Sequence, residues 1–356
     1  MKKTILFSVS LVFTLFIGAQ AEVLNIDGTL INPVGIKVIN NDLYIGEVGD
    51  QALSRVDLSQ PDPKPISQIG TDLSGIADII IDGNFLYFGA VNDGGSIYRM
   101  DIADSSNTIT QIISNVGNIP FGLVIQNNYL YASLREVNKI IRIDLNQATL
   151  SATDFVTNIP GTFVNDIEIY QNHLYFLATS SENMVARVNL SQSNPTIETV
   201  IDNIPNPTGL ALYQNKLLIA TPVDNLVGMI NLDDPSPVFE TLVTVDDPWD
   251  LSIQNNMLYI SQQGPDTISF FDLSGLSVSN DLSIAPIEIY PNPTSDLIKI
   301  SNLTESVKYS ITDVTGKTIL SNTLELDGSI DVRSLSQGMY ILRLDGYSNS
   351  YKIVKK

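Results

Sequence analysis

The feature that most constrains this chain is a phrase of about 43 residues, repeated six times between Asn32 and Gly275. Its clearest mark is an apolar–aromatic–apolar triplet. The triplets are Leu43-Tyr44-Ile45, Leu86-Tyr87-Phe88, Leu130-Tyr131-Ala132, Leu174-Tyr175-Phe176, Leu217-Leu218-Ile219 and Leu258-Tyr259-Ile260. Their centres lie 43, 44, 44, 43 and 41 residues apart. A second mark sets Asp57, Asp101, Asp144, Asn189, Asn231 and Asp272 between apolar residues. A third precedes each triplet and alternates: Gly35, Asp78, Gly122, Asp166, Gly209, Asp250. Repeats of this length holding four short strands mark a β-propeller blade. The pattern predicts an all-β chain in which residues 22–275 form a six-bladed β-propeller.

Period-two alternation places the strands inside each unit. In the third unit it gives Gly122–Gln126, Tyr129–Leu134, Lys139–Leu145 and Thr153–Asn158. Short Asn- and Asp-rich turns such as Asn127-Asn128 suit tight antiparallel connections. The triplet tyrosines are expected to fill the gaps between twisted sheets, and the Asp or Asn of the second mark to cap its own turn. The sixth unit has three strands only. Residues 22–35 read like a fourth strand running into the next blade, so the N-terminal segment is expected to complete the last sheet and remove its open edge.

Met1-Lys2-Lys3, an apolar run from Ile5 to Ile17, and Ala19-Gln20-Ala21 read as a secretory signal peptide over residues 1–21. The apolar run is short for a membrane span, so no transmembrane segment is expected in the mature protein. The chain has no cysteine, which excludes a disulfide framework and thiol chemistry. Residues 276–285 read as a Ser/Asn/Asp-rich linker, and residues 286–356 as a second, smaller β domain. There Tyr290-Pro291-Asn292-Pro293, Asp313-Val314-Thr315-Gly316-Lys317, Gly338-Met339-Tyr340 and a basic last strand follow in order. This stretch closely resembles the type A C-terminal sorting domain of the Bacteroidetes type IX (Por) secretion system. The resemblance implies an immunoglobulin-like β-sandwich handled by the type IX machinery. It also implies export through the periplasm to the outer-membrane surface or the medium.

Net charge is −20, and the tail from Pro286 is balanced, so the acidity lies in the repeats. Nucleic acids and anionic lipid surfaces demand basic stripes and are poor partners, so no nucleic-acid partner is expected. A single histidine, His173, sits in a variable turn and rules out multi-histidine metal sites. No phosphate loop or nucleophile elbow stands in a supporting context.

One face of a propeller carries both the loops leading into each innermost strand and the loops joining second to third strands. On it the alternation places Asp78, Asp166 and Asp250 on every second blade. Three carboxylates about one axis suit a hard divalent cation such as calcium. Beside them Trp249, Phe121, Asn165 and Arg135 are candidate ligand-binding residues, the aromatics by stacking. The repeats also resemble the NHL, YVTN and gluconolactonase-like propellers. That resemblance implies a metal-dependent lactone hydrolase as the alternative function, although Gly46-Glu47-Val48-Gly49 departs from the Glu-Gly-Pro context of those enzymes. The preferred expectation is an exported, non-catalytic module that binds a glycan, a peptide or a protein.

Overall fold

The computed structural model describes residues 19–179, 183–277, 289–301, 306–313, 317–324, 329–344 and 350–356. Residues 1–18 of the expected signal peptide, Glu182, linker residues 278–285 and Val314-Thr315-Gly316 lie outside them. The described residues form strands and short 3-10 turns, with no α-helix. The chain divides into two compact units, Met1–Ser274 and Gly275–Lys356.

The first unit holds six sheets, each built on consecutive antiparallel strands, with short N-terminal strands added to the first and the sixth. Their innermost strands are Pro33–Ile39, Ile76–Asp82, Pro120–Gln126, Phe163–Tyr170, Leu210–Tyr213 and Pro248–Gln254. Each lies beside the innermost strand of the next sheet, and Pro248–Gln254 lies beside Pro33–Ile39. The strands of the third sheet end within two residues of the sequence expectation: Pro120–Gln126, Tyr129–Leu134, Lys139–Asp144 and Ala152–Val156. Left-handed backbone at Asn127 and Asn128, and again at Asn255 and Asn256, makes the tight turns between first and second strands.

The repeated side chains occupy repeated environments. Tyr44, Tyr87, Tyr131 and Tyr175 are buried, each packed against residues of the following sheet. The second mark caps its turns in all six units. Asp57, Asp101, Asp144, Asn189, Asn231 and Asp272 each accept the backbone N–H two residues on, at 2.8–3.1 Å.

Closure is shorter than the sequence suggests. Glu22 and Val23 pair with Phe270 and Ser269 of the sixth sheet, and the Leu24 N–H donates to the Ile268 carbonyl. The chain then crosses over, and Ile26–Asp27 pairs in parallel with Lys64–Pro65 at the outer edge of the first sheet. The segment thus covers two outer edges with one short run each, because Leu24 and Leu30 are buried in a core shared by the two sheets.

In the second unit, Ile289–Tyr290, Leu297–Ile300 and Ser329–Asp331 form one sheet. Val307–Asp313, Thr318–Leu324, Gly338–Leu344 and Ser350–Lys355 form the other. Ile298, Ile311, Leu342 and Ile353 lie in their common core. Asn292 of the Tyr-Pro-Asn-Pro motif clamps the basic last strand, donating to the Lys352 carbonyl at 2.6 Å and accepting the Val354 N–H at 2.9 Å.

Removing residues 22–31 from the mature protein takes out two buried leucines and uncovers two sheet edges. Urea unfolding should show a loss of roughly 4 kcal/mol or more, with aggregation of the truncated protein on gel filtration. Unchanged stability and monomeric elution would show that the N-terminal segment does not hold the ring.

Candidate functional site

The alternating Gly and Asp of the third mark are the hinge of the site. In five of the six sheets the pairing of first and second strands slips by one residue at this point, between Ile76 and Ile79 for example. Such bulges re-aim side chains. Asp78, Asp166 and Asp250 are buried in the sheet interior at the axis.

Each carboxylate joins two sheets. Asp78 accepts its own neighbour's N–H, Ile79, at 2.6 Å and the Leu123 N–H of the next sheet at 2.6 Å. Asp166 does the same with Ile167 and Leu210, both at 2.7 Å. Asp250 takes Leu251 at 2.7 Å and Ile36 at 2.8 Å. The strand that donates across the gap is always the one that carries Gly. The glycines make room for this: a Cβ on Gly122 would fall 2.7 Å from the Asp166 Cα, and one on Gly35 2.6 Å from the Asp78 Cα. On Gly209 it would meet the Trp249 carbonyl oxygen at 2.5 Å. Asp strands therefore press against the preceding Gly strand and bond to the following one.

Burial pushes Asp78 up to about 6 and holds Asp166 and Asp250 well above the usual carboxylate range, with mutual repulsion adding to the effect for the latter two. Lys37 lies close enough to favour the ionised forms of Asp78, Asp250 and Glu168. Lys37 and Glu168 stand two residues after the Gly or Asp of their strands and line a polar axial cavity of about 130 Å³ behind the three aspartates. Ile80 and Val124, at the same offset, line it too, so the repeated position two past this mark held a signal for them.

On the other side of the aspartates, Ala77, Phe121, Thr208 and Trp249 border a space of about 10 Å³, room for one water. Phe121 is buried and Trp249 half-buried. Asn165 is 2% exposed; its Nδ2 donates to the Pro207 carbonyl at 2.8 Å, while its Oδ1 has no partner. Trp249 Nε1 and Arg135 Nε are likewise buried without a partner. The Arg135 guanidinium lies 4.5 Å from the Phe121 ring centre and 4.9 Å from that of Phe163. Phe163 was not singled out by its sequence context. The structure thus brings Phe121 beside both Trp249 and Arg135, and sets Asn165 next to Asp166.

The three aspartates do not fit a resident cation. All six carboxylate oxygens already accept a backbone N–H. Among the described residues no group of three or more His, Cys, Asp or Glu is disposed to hold a metal ion.

Residues 288–356 match the family of secretion system C-terminal sorting domains. The chain carries a secretion sorting domain. No curated protein matches the chain at a significant level. Among solved structures, the repeats share their fold with a protein of unknown function from Bacteroides thetaiotaomicron, at 11% identity and a TM-score of 0.59, covering 72% of this chain and 75% of that one. A gluconolactonase from Xanthomonas campestris is similar at 10% identity and a TM-score of 0.56, covering 70% and 88%. A nidogen–laminin complex gives 12% identity and a TM-score of 0.55, covering 65% and 89%. At these identities the likeness establishes a β-propeller fold and nothing finer. No helix among the described residues is long and apolar enough to cross a membrane.

Two outcomes test this geometry. Gly122→Ala drives a methyl into backbone of the next sheet and should cost about 1–3 kcal/mol. A folded-state pKa raised above the unfolded value means stability that is full below about pH 4 and is lost as pH rises through the folded value, about 6 for Asp78 and in the same direction for Asp166 and Asp250. Asp166→Asn removes one of the repelling charges and one bond to backbone. The variant should be less stable than wild type by about 1 kcal/mol in acid, with the gap narrowing by pH 8. Urea titrations at both pH values check this. A constant gap would disprove the linkage, and a calcium-dependent rise in melting temperature seen only in the wild type would assign the carboxylates to a cation.

Proposed function

We propose that this protein is an exported six-bladed β-propeller that binds an extracellular glycan, peptide or protein through its front face. Here the front face is the one bearing the loops that lead into the innermost strands. The sorting domain, residues 286–356 including the matched stretch, directs it through the type IX machinery to the cell surface or the medium, after removal of residues 1–21. The domain itself is an immunoglobulin-like sandwich in this reading.

The observation that carries the binding assignment is the set of partnerless polar atoms on the front side of the aspartates. Trp249 Nε1, Arg135 Nε and Asn165 Oδ1 are buried without hydrogen bonds, whereas such groups are satisfied as a rule. Phe121 supplies the apolar surface between two of them. A bound partner or ordered water would complete these atoms.

Lactone hydrolysis is less well supported. Small-substrate sites enclose roughly 300–1,000 Å³, and the space before Phe121 and Trp249 is about 10 Å³. A ligand lying across the face fits this mouth better than one enclosed within it.

Two measurements test the proposal. Deleting residues 286–356 should leave the repeats folded but retained in the periplasm, and normal levels of the shortened protein on the surface or in the medium would refute the sorting assignment. For the face, Trp249→Ala should abolish most binding of any extracellular ligand recovered with the protein, at a loss of about 2 kcal/mol or more. Undiminished binding by that variant, folded by circular dichroism, would move the site elsewhere.

A further inference from the structure

The front face has a one-sided charge that the proposed ligand-binding residues do not account for. Among the described residues its loops contain nine Asp and Glu residues and a single basic residue, Arg135. Asp50, Asp72, Asp202, Asp224, Asp246 and Asp266 are exposed and distributed around the ring. Arg135 is half-buried between two phenylalanine rings, so it offers little compensating charge to solvent.

None of the ion pairs among the described residues uses a front-face carboxylate. Arg55–Asp42, Lys64–Asp62, Lys139–Asp154 and Arg187–Glu198 all engage acids on strands or rear loops. The front-face acids that do bond accept from neutral donors, as Asp266 does from the Asn32 N–H at 2.6 Å and Asp50 from the Gln68 side-chain amide at 3.2 Å. The front face also exposes aliphatic side chains at loop tips: Ile31 at 42%, Val137 at 40% and Val223 at 66%. At the mouth Trp249 Nε1 lacks an acceptor, and in the strand Phe163–Tyr170 Asn165 Oδ1, on a residue 2% exposed, lacks a donor. Carboxylates without a cationic partner and apolar tips ask for positive charge and aliphatic groups, while Trp249 Nε1, Arg135 Nε and Asn165 Oδ1 together ask for a partner that both accepts and donates hydrogen bonds, as a polypeptide backbone does.

We propose that the front face docks a basic segment of another polypeptide, in which Lys or Arg alternates with aliphatic residues. The carboxylate ring attracts and orients the segment over tens of ångströms at low salt. Ile31, Val137 and Val223 receive its aliphatic side chains, and a backbone carbonyl from it accepts the Trp249 Nε1–H at the mouth. This rests on the binding face proposed above and names its partner. An anionic glycan is repelled by the same ring, and a neutral one gains nothing from it.

The full mature chain provides its own probe, because Trp249 is the only tryptophan and stands at the mouth. It is titrated with a short peptide of Lys, Arg, Leu and Gly, with the same peptide carrying Glu for Lys and Arg, and with a panel of neutral oligosaccharides. Saturable change in Trp249 fluorescence is expected with the basic peptide alone, weakening about tenfold as salt rises from low to physiological strength. Asp72→Asn, Asp224→Asn and Asp246→Asn together should weaken it by a similar factor, since these side chains make no bond that the fold needs. The rear pair Asp62→Asn and Asp82→Asn should leave it unchanged. Equal loss in front and rear variants would reduce the effect to net charge and overturn the docking face. Saturable binding of a neutral oligosaccharide, without salt dependence, would keep the face and overturn the basic partner. No response of Trp249 to any probe would overturn both.

Discussion

The bond from each buried aspartate to the backbone of the next sheet is the interaction on which the ring depends. Sheets in such a ring touch by side-chain packing, which is non-directional and tolerates sliding. Asp78, Asp166 and Asp250 add direction, because each carboxylate fixes the height of one innermost strand against its neighbour. The intervening contacts are set by Gly35, Gly122 and Gly209, which admit the neighbouring backbone closer than any side chain would allow. Two kinds of contact therefore alternate around the axis, one by hydrogen bond and one by close approach. The threefold alternation in the sequence is a property of the scaffold before it is a property of any site.

This arrangement constrains function as well. Carboxylates committed to backbone N–H groups are poorly available as ligands, and their raised pKa values record the cost of gathering three acids away from water. Phe121 and Trp249 lie over them on the front side, so the axis is narrow there and wider behind. In the binding reading proposed above, recognition therefore falls to the loops, where Arg135 and the exposed acids stand. A rigid ring presenting variable loops is well suited to that task.

Much of the fold was legible because its determinants are local and repeated. Triplet, turn cap and strand alternation recur six times, so accidental matches average out and the boundaries in the third unit fall within two residues of expectation. The N-terminal segment was harder to read, since its parallel pairing with Lys64–Pro65 leaves no alternation in so short a run. The candidate site was legible in position but not in chemistry. The mark at Asp78, Asp166 and Asp250 announces three acids near one axis. Whether their oxygens face a ligand or a neighbouring N–H depends on a one-residue bulge, and no residue type specifies that. Phe163 escaped notice because its partner Arg135 is supplied by the preceding sheet.

With no cysteine available, this exported chain must join its ends without a covalent link. The join is made by Glu22–Leu24 against a strand some 245 residues away, the kind of contact that forms late because loop closure precedes its reward. Ala19 and Ala21 already lie against Thr244 of the fifth sheet, immediately before Glu22 enters the sixth. Cleavage after Ala21 would leave the closing strand as the free end of the chain. An end that is free can insert into a nearly finished ring, whereas one tethered to a membrane by its signal peptide must bring the ring to the tether. Under the processing proposed above, cleavage and closure are coupled by the position of a single peptide bond.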